Sequence, residues 1–278
     1  MTYCVGLSLD DGLVFASDSR TNAGVDYVTT YSKMHLFTPA PDRLFVVLSA
    51  GNLATTQEVI NHIQRDIDYP TGGINLANVK YLFEAAEYIG KIIQQVQLDH
   101  SAAFAQSGVS GETTMLLGGQ IAGKPHGLMM IYPQGNYIAS SPQTPYLQIG
   151  ESKYGKPALD RIAYPGMSLD EGARLTLVSL DATTRSNITV GPPFEIAIYP
   201  KDSLKLDCHC VFAESDPYLI TVRDAWNTGI NDVFDNLPVF EKHEEDSLLV
   251  AGAPAAVEQQ QQQQTSMATP VPMPEQFR

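Results

Sequence analysis

The chain opens on an alternation of apolar and polar positions. Tyr3, Val5, Leu7 and Leu9 fall at every second residue, Asp10-Asp11-Gly12 follows, and a second apolar run starts at Leu13-Val14-Phe15. A period of two puts one set of side chains on one face of a strand, and Asp-Gly between two such runs signals a hairpin. Strands are therefore expected over 2–9 and 13–19. A third is expected near 33–38, ended by Pro39-Ala40-Pro41, and a fourth over 44–48 leads into Ser49-Ala50-Gly51. The period then changes. Val59, Ile60 and Ile63 mark a helix over 53–68. Leu76, Val79, Leu82, Phe83, Ala86, Ile89, Ile93 and Val96 recur at three or four residues and predict a longer one over 76–98, broken by Gly108 to Gly111.

Strand patterns return at 113–118, 126–132 and, after Pro133-Gln134-Gly135, at 136–140. Helices are expected at 152–163 and 169–185, the second announced by Ser168 with Glu171 three residues on, a capping-box spacing. Strands at 194–199 and 204–212 follow, and Pro217 can open a helix running to about 235. Strands, two helices, strands, two helices, strands: this order predicts an α+β fold. Two mainly antiparallel sheets would pack on each other, with helix pairs on the outer faces.

The 278 residues, 44% hydrophobic and 17% charged, suffice for one large core. One domain is expected over 1–250. Beyond it Gln259 to Gln264 are consecutive glutamines, and Pro270, Pro272 and Pro274 follow. With little to bury, 251–278 is expected to be a disordered Gln/Pro-rich tail. The net charge of −14 opposes a phosphate backbone, so nucleic acid is not an expected partner. No apolar run reaches the roughly 18 residues of a membrane span, and the N-terminus lacks signal-peptide character, so no membrane association and a cytoplasmic address are expected. Three cysteines are too few for a disulfide framework. Cys208-His209-Cys210 falls on an expected strand, where the cysteines share one face and His209 points away; ordinary strand residues are expected there, with no metal.

Thr2 directly abuts the first strand, so its position would be held rigidly. Removal of Met1 would give it a free α-amine, whose pKa of about 7.7–8.0 lies well below the roughly 10.4 of lysine. Such an amine can serve as general base for its own Oγ. Alone the signal is weak, since many chains carry Thr at position 2. Asp18 ends the second strand, where a hairpin returns it beside the start of the first. Lys33 opens the third strand and could reach both Asp18 and Thr2, although both charges could equally be surface residues. Gly51 sits at a strand-to-helix turn whose backbone N–H groups can hold an oxyanion, and a glycine at such a turn is also common.

Taken together, Thr2, Asp18, Lys33 and Gly51 resemble the proteasome β-subunit family, the Ntn hydrolases with an N-terminal threonine nucleophile. The opening through Asp18-Ser19-Arg20-Thr21-Asn22-Ala23-Gly24 is similar to the family's bacterial Anbu branch in particular. The resemblance spans about 2–240 and implies a four-layer αββα sandwich and no cofactor. It implies Thr2 as nucleophile with its amine as base, Asp18 and Lys33 as the charges that tune it, and the Gly51 N–H as oxyanion donor. The family's Gly-Ser-Gly element corresponds to Gly150-Glu151-Ser152, placing Glu151 where the family has a hydroxyl. Its Arg-Asp-x-x-Ser element resembles Leu180-Asp181-Ala182-Thr183-Thr184, so Asp181 and Thr184 would support the amine; on pattern alone Asp181 reads as a solvent-facing helix charge. Thr21, Tyr31, His35, Ser49 and Leu53 would line the substrate pocket. The implied partners are a peptide or peptide-like amide substrate and further copies of the chain, in a ring or open helical array. Ordinary Met1 removal, without self-cleavage, is expected to expose Thr2.

Overall fold

In a computed structural model of the chain, which describes residues 1–22 and 28–240, the opening alternation becomes two antiparallel strands. They are β1 (Tyr3–Leu9) and β2 (Gly12–Asp18), joined at Asp10-Asp11. A two-stranded pair follows, β3 (Arg20–Asn22) with β4 (Val28–Thr30). Next come β5 (Met34–Ala40) and β6 (Arg43–Gly51), then helices α1 (Leu53–Asp68), α2 (Leu82–Asp99) and α3 (Ser101–Ser107). After β7 (Thr113–Ile121), β8 (Gly127–Ile131), β9 (Tyr137–Ala139) and β10 (Tyr146–Gly150) come α4 (Lys156–Ile162) and α5 (Leu169–Ser186). The remaining elements are β11 (Phe194–Pro200), β12 (Cys208–Phe212) and α6 (Pro217–Asp235).

The strands form two antiparallel five-stranded sheets, ordered β10-β1-β2-β11-β12 and β5-β6-β7-β8-β9. Side-chain alternation then divides the core into three layers. Leu13, Phe15 and Tyr199 of the first sheet meet Val46, Leu48 and Leu116 of the second. The other face of the second sheet, with Phe45, Val47 and Leu117, packs on Val59 and Ile63 of α1 and Ile89 and Ile93 of α2. The other face of the first sheet, with Val5, Leu7 and Val14, packs on Leu159 of α4, Leu175 and Leu180 of α5, and Leu219 of α6. Burying a Leu, Val, Ile or Phe side chain stabilises by about 1.5–3 kcal/mol, so strands that are apolar on both faces fix the centre of the stack. The result is the four-layer αββα sandwich implied by the sequence. Met1–Ile230 form one compact unit; from Asn231 the chain belongs to a second, of which the end of α6 and the residues to 240 are described. The expected boundary at 250 and tail at 251–278 lie outside the described residues.

Several elements depart from the expectation. The helix expected from 76 begins at Leu82, because Glu84 turns its carboxylate back onto the Lys80 and Tyr81 amides and so caps it there. Leu76 and Val79 are still buried, in a turn that Asn75 organises by accepting from the Ala77 N–H. Strand β10 was not expected, and the helix after it is shortened to Lys156–Ile162. The short β3–β4 pair and α3 are also additional. On β12, Cys208 and Cys210 share a face as expected but are joined as a disulfide, where unmodified strand residues were expected.

Candidate active site

The first hairpin brings the two ends of the chain's opening motif together. Cys4 lies opposite Ser17, so Asp18 falls beside Tyr3, whose N–H donates to Asp18 Oδ1 at 2.9 Å. Asp18 is fully buried. Lys33, just ahead of β5, places its Nζ 2.6 Å from Asp18 Oδ1 and donates to the Arg20 carbonyl at 2.7 Å. The Gly191 N–H donates to Asp18 Oδ2 at 3.3 Å. Burial pushes the Asp18 carboxyl up, while the Lys33 ammonium and the two amides pull it back toward the ionised form.

Residue 2 is held from the other side by β10. The Glu151 N–H donates to the Thr2 carbonyl at 2.7 Å. Gly150, at φ +81°, lets the backbone approach this closely: a Cβ there would collide with the Thr2 carbonyl oxygen. The α-amine of Met1 is lowered from its usual value, first by burial and then by the Lys33 charge, with Asp18 and Glu151 acting in the opposite sense. The chain end therefore lies in the combined field of these three side chains. The other nucleophilic side chain nearby is inert. Cys4 is fully buried, its thiol donates to the Ser49 carbonyl at 3.7 Å, and burial pushes its pKa far up.

Gly51 ends β6 at φ +126°, a conformation favouring glycine, and a Cβ there would strike the Glu112 carbonyl. Asn52 then caps α1, its side chain accepting from the Ala54 and Thr55 amides at 3.0 and 3.2 Å. The positive end of α1 is thus directed at the strand-to-helix turn.

Thr2, Lys33 and Gly51 share the wall of one small cavity of about 80 Å³. Of the residues assigned to the substrate pocket, Thr21, His35, Ser49 and Leu53 line it as well. Tyr31 does not; it is 42% exposed beside it. Ser32, Ala50, Thr56 and Gln57 complete the wall and were not singled out in the sequence. Burial holds the His35 imidazole below its usual pKa, favouring the neutral form.

Asp181 and Thr184 are engaged elsewhere. Asp181 accepts from Arg223 Nε at 2.7 Å and Arg185 Nε at 3.0 Å, and the Thr184 hydroxyl donates back to the Leu180 carbonyl. The neighbours of Glu151 come instead from the turn after α5. Asn187 Nδ2 donates to Glu151 Oε2 at 3.1 Å, and Asn187 Oδ1 accepts from both the amide and the hydroxyl of Thr189. Asn187, directly after α5, was not singled out in the sequence; the Asn-x-Thr turn signal at 187–189 could have found it. A larger apolar groove of about 490 Å³, with Leu175, Val178, Val222 and Trp226 in its wall, lies between α5 and α6 and includes none of these residues. Among the described residues, no group of three or more His, Cys, Asp or Glu could hold a metal ion, and no helix is long and apolar enough to cross a membrane.

Residues 2–199 match the family model described as Proteasome subunit. Among solved structures, Anbu (ancestral beta-subunit) from Yersinia bercovieri is 44% identical, covers 87% of this chain and 100% of its own, and superposes with a TM-score of 0.80. A structure described as the helical assembly of the Anbu complex from Pseudomonas aeruginosa is 44% identical, with 87% and 99% covered and a TM-score of 0.81. Anbu from Hyphomicrobium sp. strain MC1 is 37% identical, with 87% and 100% covered and a TM-score of 0.79. No curated protein matches the chain. The fold is that of the Ntn hydrolases, and the chain belongs to the proteasome subunit family.

Proposed function

We propose that the protein is an N-terminal-threonine amide hydrolase, a threonine-type peptidase acting on a peptide or peptide-like amide. The observation that carries this reading is the buried Lys33–Asp18 pair set against the chain start, with Lys33, Thr2 and Gly51 on one cavity wall. Once Met1 is removed, the Thr2 amine takes the proton from Thr2 Oγ as the oxygen bonds to the carbonyl carbon. The Lys33 ammonium favours the developing alkoxide and keeps the adjacent amine neutral. The Gly51 N–H, at the positive end of α1, holds the oxyanion. Collapse breaks the C–N bond, the amine's proton passes to the leaving nitrogen, and water then hydrolyses the Thr2 ester to acid and free Oγ. Glu151, held by Asn187 and tied to residue 2 through its own N–H, steadies the protonated amine between these steps.

The small cavity favours a second reading, an amidohydrolase of small or conjugated amides using the same nucleophile. Both require acylation of Thr2, whereas a degenerate assembly subunit would not be acylated. Purified protein is treated with a β-lactone or a peptide epoxyketone and its intact mass is measured. Loss of Met1 and a stoichiometric adduct mapped to Thr2 are expected; protein that retains Met1 or takes up no adduct overturns the proposal. Turnover of peptides against small amides then separates the two readings. We further propose a homo-oligomer, ring or open helix. The Pseudomonas aeruginosa relative's helical assembly supports this, and a monomeric molar mass in solution would exclude it.

A further inference from the structure

Residues along β11 alternate between the two faces of their sheet. Phe194 and Ile196 face the helices, while Ala197 and Tyr199 face the other sheet. Glu195 therefore points into the space between the sheets, where it is only 9% exposed. A carboxylate so far out of water is normally matched by a cation. Among the described residues none lies within ion-pair distance of Glu195. The nearby Lys33 ammonium is committed to Asp18 and the Arg20 carbonyl.

Its hydrogen-bond donor is Ser32, whose hydroxyl lies 2.8 Å from Glu195 Oε2 and 2.9 Å from the Met34 carbonyl, while its oxygen accepts from the Met34 N–H at 3.2 Å. Ser32 also lines the cavity that holds Thr2. Opposite Glu195 on β2 is Ser17, fully buried, with an Oγ that finds no partner among the described residues. An uncompensated carboxylate and an unused hydroxyl thus stand behind the wall at Ser32. When the Ser32 proton goes to Glu195, the Oγ lone pair not taken by the Met34 N–H is left to accept from whatever enters the cavity. Burial shifts His35 toward its neutral form, and the cation on the same wall, the Lys33 ammonium, is paired with Asp18.

We propose that Glu195, acting through Ser32, makes this cavity select amides whose residue on the acyl side of the scissile bond carries a positively charged side chain. The inference rests on Thr2 being the nucleophile and adds the substrate class. An ammonium or guanidinium has only donors to offer, which suits Ser32 Oγ with a carboxylate behind it. A carboxylate-bearing side chain is repelled, and a neutral aliphatic one gains nothing from Glu195. Selection then comes from a charge the substrate does not touch directly.

The test uses four peptide epoxyketones with lysine, arginine, leucine or glutamate next to the reactive ketone, with the rate of adduct formation at Thr2 followed by intact mass. Wild-type protein should react fastest with the lysine and arginine probes and slowest with the glutamate probe. Glu195→Gln should lower the lysine-to-leucine rate ratio by about tenfold, the scale of one charge-assisted hydrogen bond, while the leucine rate stays within about twofold. Ser32→Ala should lower the same ratio, and it keeps the test open if Glu195→Gln does not fold. Absence of a cationic preference in the wild type, or an equal loss with every probe in the folded variants, overturns the proposal and leaves Glu195 a purely structural anchor. Absence of any adduct in the wild type with all four probes overturns instead the nucleophile reading on which it rests.

Discussion

Asp18 and Asp181 are both carboxylates withdrawn almost completely from water, and both are held by cations, yet they sit in different surroundings. Asp18 takes one ammonium and two backbone amides, and its partner Lys33 forms part of a cavity wall beside Thr2. Asp181 takes two guanidiniums, one from its own helix four residues on and one from α6, and braces α5 against the start of α6. Burial and charge pairing are the same physical event in both places. What separates them is the next neighbour: a hydroxyl and a chain end in one case, only packed helix in the other. A buried ion pair alone is thus weak evidence of chemistry, because structural networks make them too.

The comparison is most easily broken at Lys33. Lys33→Ala removes the charge that favours the alkoxide, and acylation of Thr2 by a β-lactone should fall by about a thousandfold. The protein should stay folded but less stable, since Asp18 is left buried without its cation. Near-wild-type acylation in folded Lys33→Ala protein would remove Lys33 from the reaction.

Next in size is the matched pair Asp18→Asn and Asp181→Asn. Both delete one buried negative charge and keep the side chain's shape. Asp18→Asn should slow acylation by roughly ten- to a hundredfold, by releasing Lys33 from its position while leaving Thr2 in place. Asp181→Asn should leave the acylation rate within about twofold and lower stability by about 1–3 kcal/mol, read from the urea midpoint. If the two variants lose acylation equally, the distinction drawn between the sites fails.

The same contrast marks how far the sequence could be read. The hairpin at 2–19 was legible because strict alternation and Asp-Gly leave little choice, and α5 because Ser168 and Glu171 cap it. Thr2, Lys33 and Gly51 were legible as candidates because the hairpin and the strand-to-helix turn set their places locally. The start of α2 was not, since Leu76 and Val79 are buried in the same core as the helix without being part of it, and apolar spacing cannot tell the two apart. Strand β10 buries Tyr146 and Leu147 side by side before Gln148 and Ile149, so no alternation stands out, and the element that delivers Glu151 was missed. Asp181 and Thr184 came from the resemblance alone, because which turn of α5 faces Glu151 depends on packing between distant segments. Glu195 escaped notice because an acidic residue inside an apolar strand carries no local signal of which face it takes.

The smallest expected effect concerns His35, and it sharpens the comparison by giving the cavity a pH dependence. Burial lowers the His35 pKa below the roughly 6.5 of the unfolded chain. Between the folded value and about 6.5 the unfolded chain therefore binds more protons. The contribution to stability is full above about pH 6.5 and is lost as the pH falls from there toward the folded pKa. The urea midpoint should drop modestly between pH 7.5 and 5.5, and His35→Gln should flatten that portion of the drop. A charge gained at His35 would also stand in the cavity wall and oppose an incoming ammonium. The lysine-to-leucine acylation ratio should hence fall about two- to threefold as the pH drops through the folded pKa of His35, below about 6.5, the scale of a partly screened charge pair, and that fall should be absent in His35→Gln. Taking the ratio cancels protonation of the Thr2 amine, which slows both probes alike. An unchanged pH dependence of the ratio in His35→Gln would place the titrating group elsewhere on the wall.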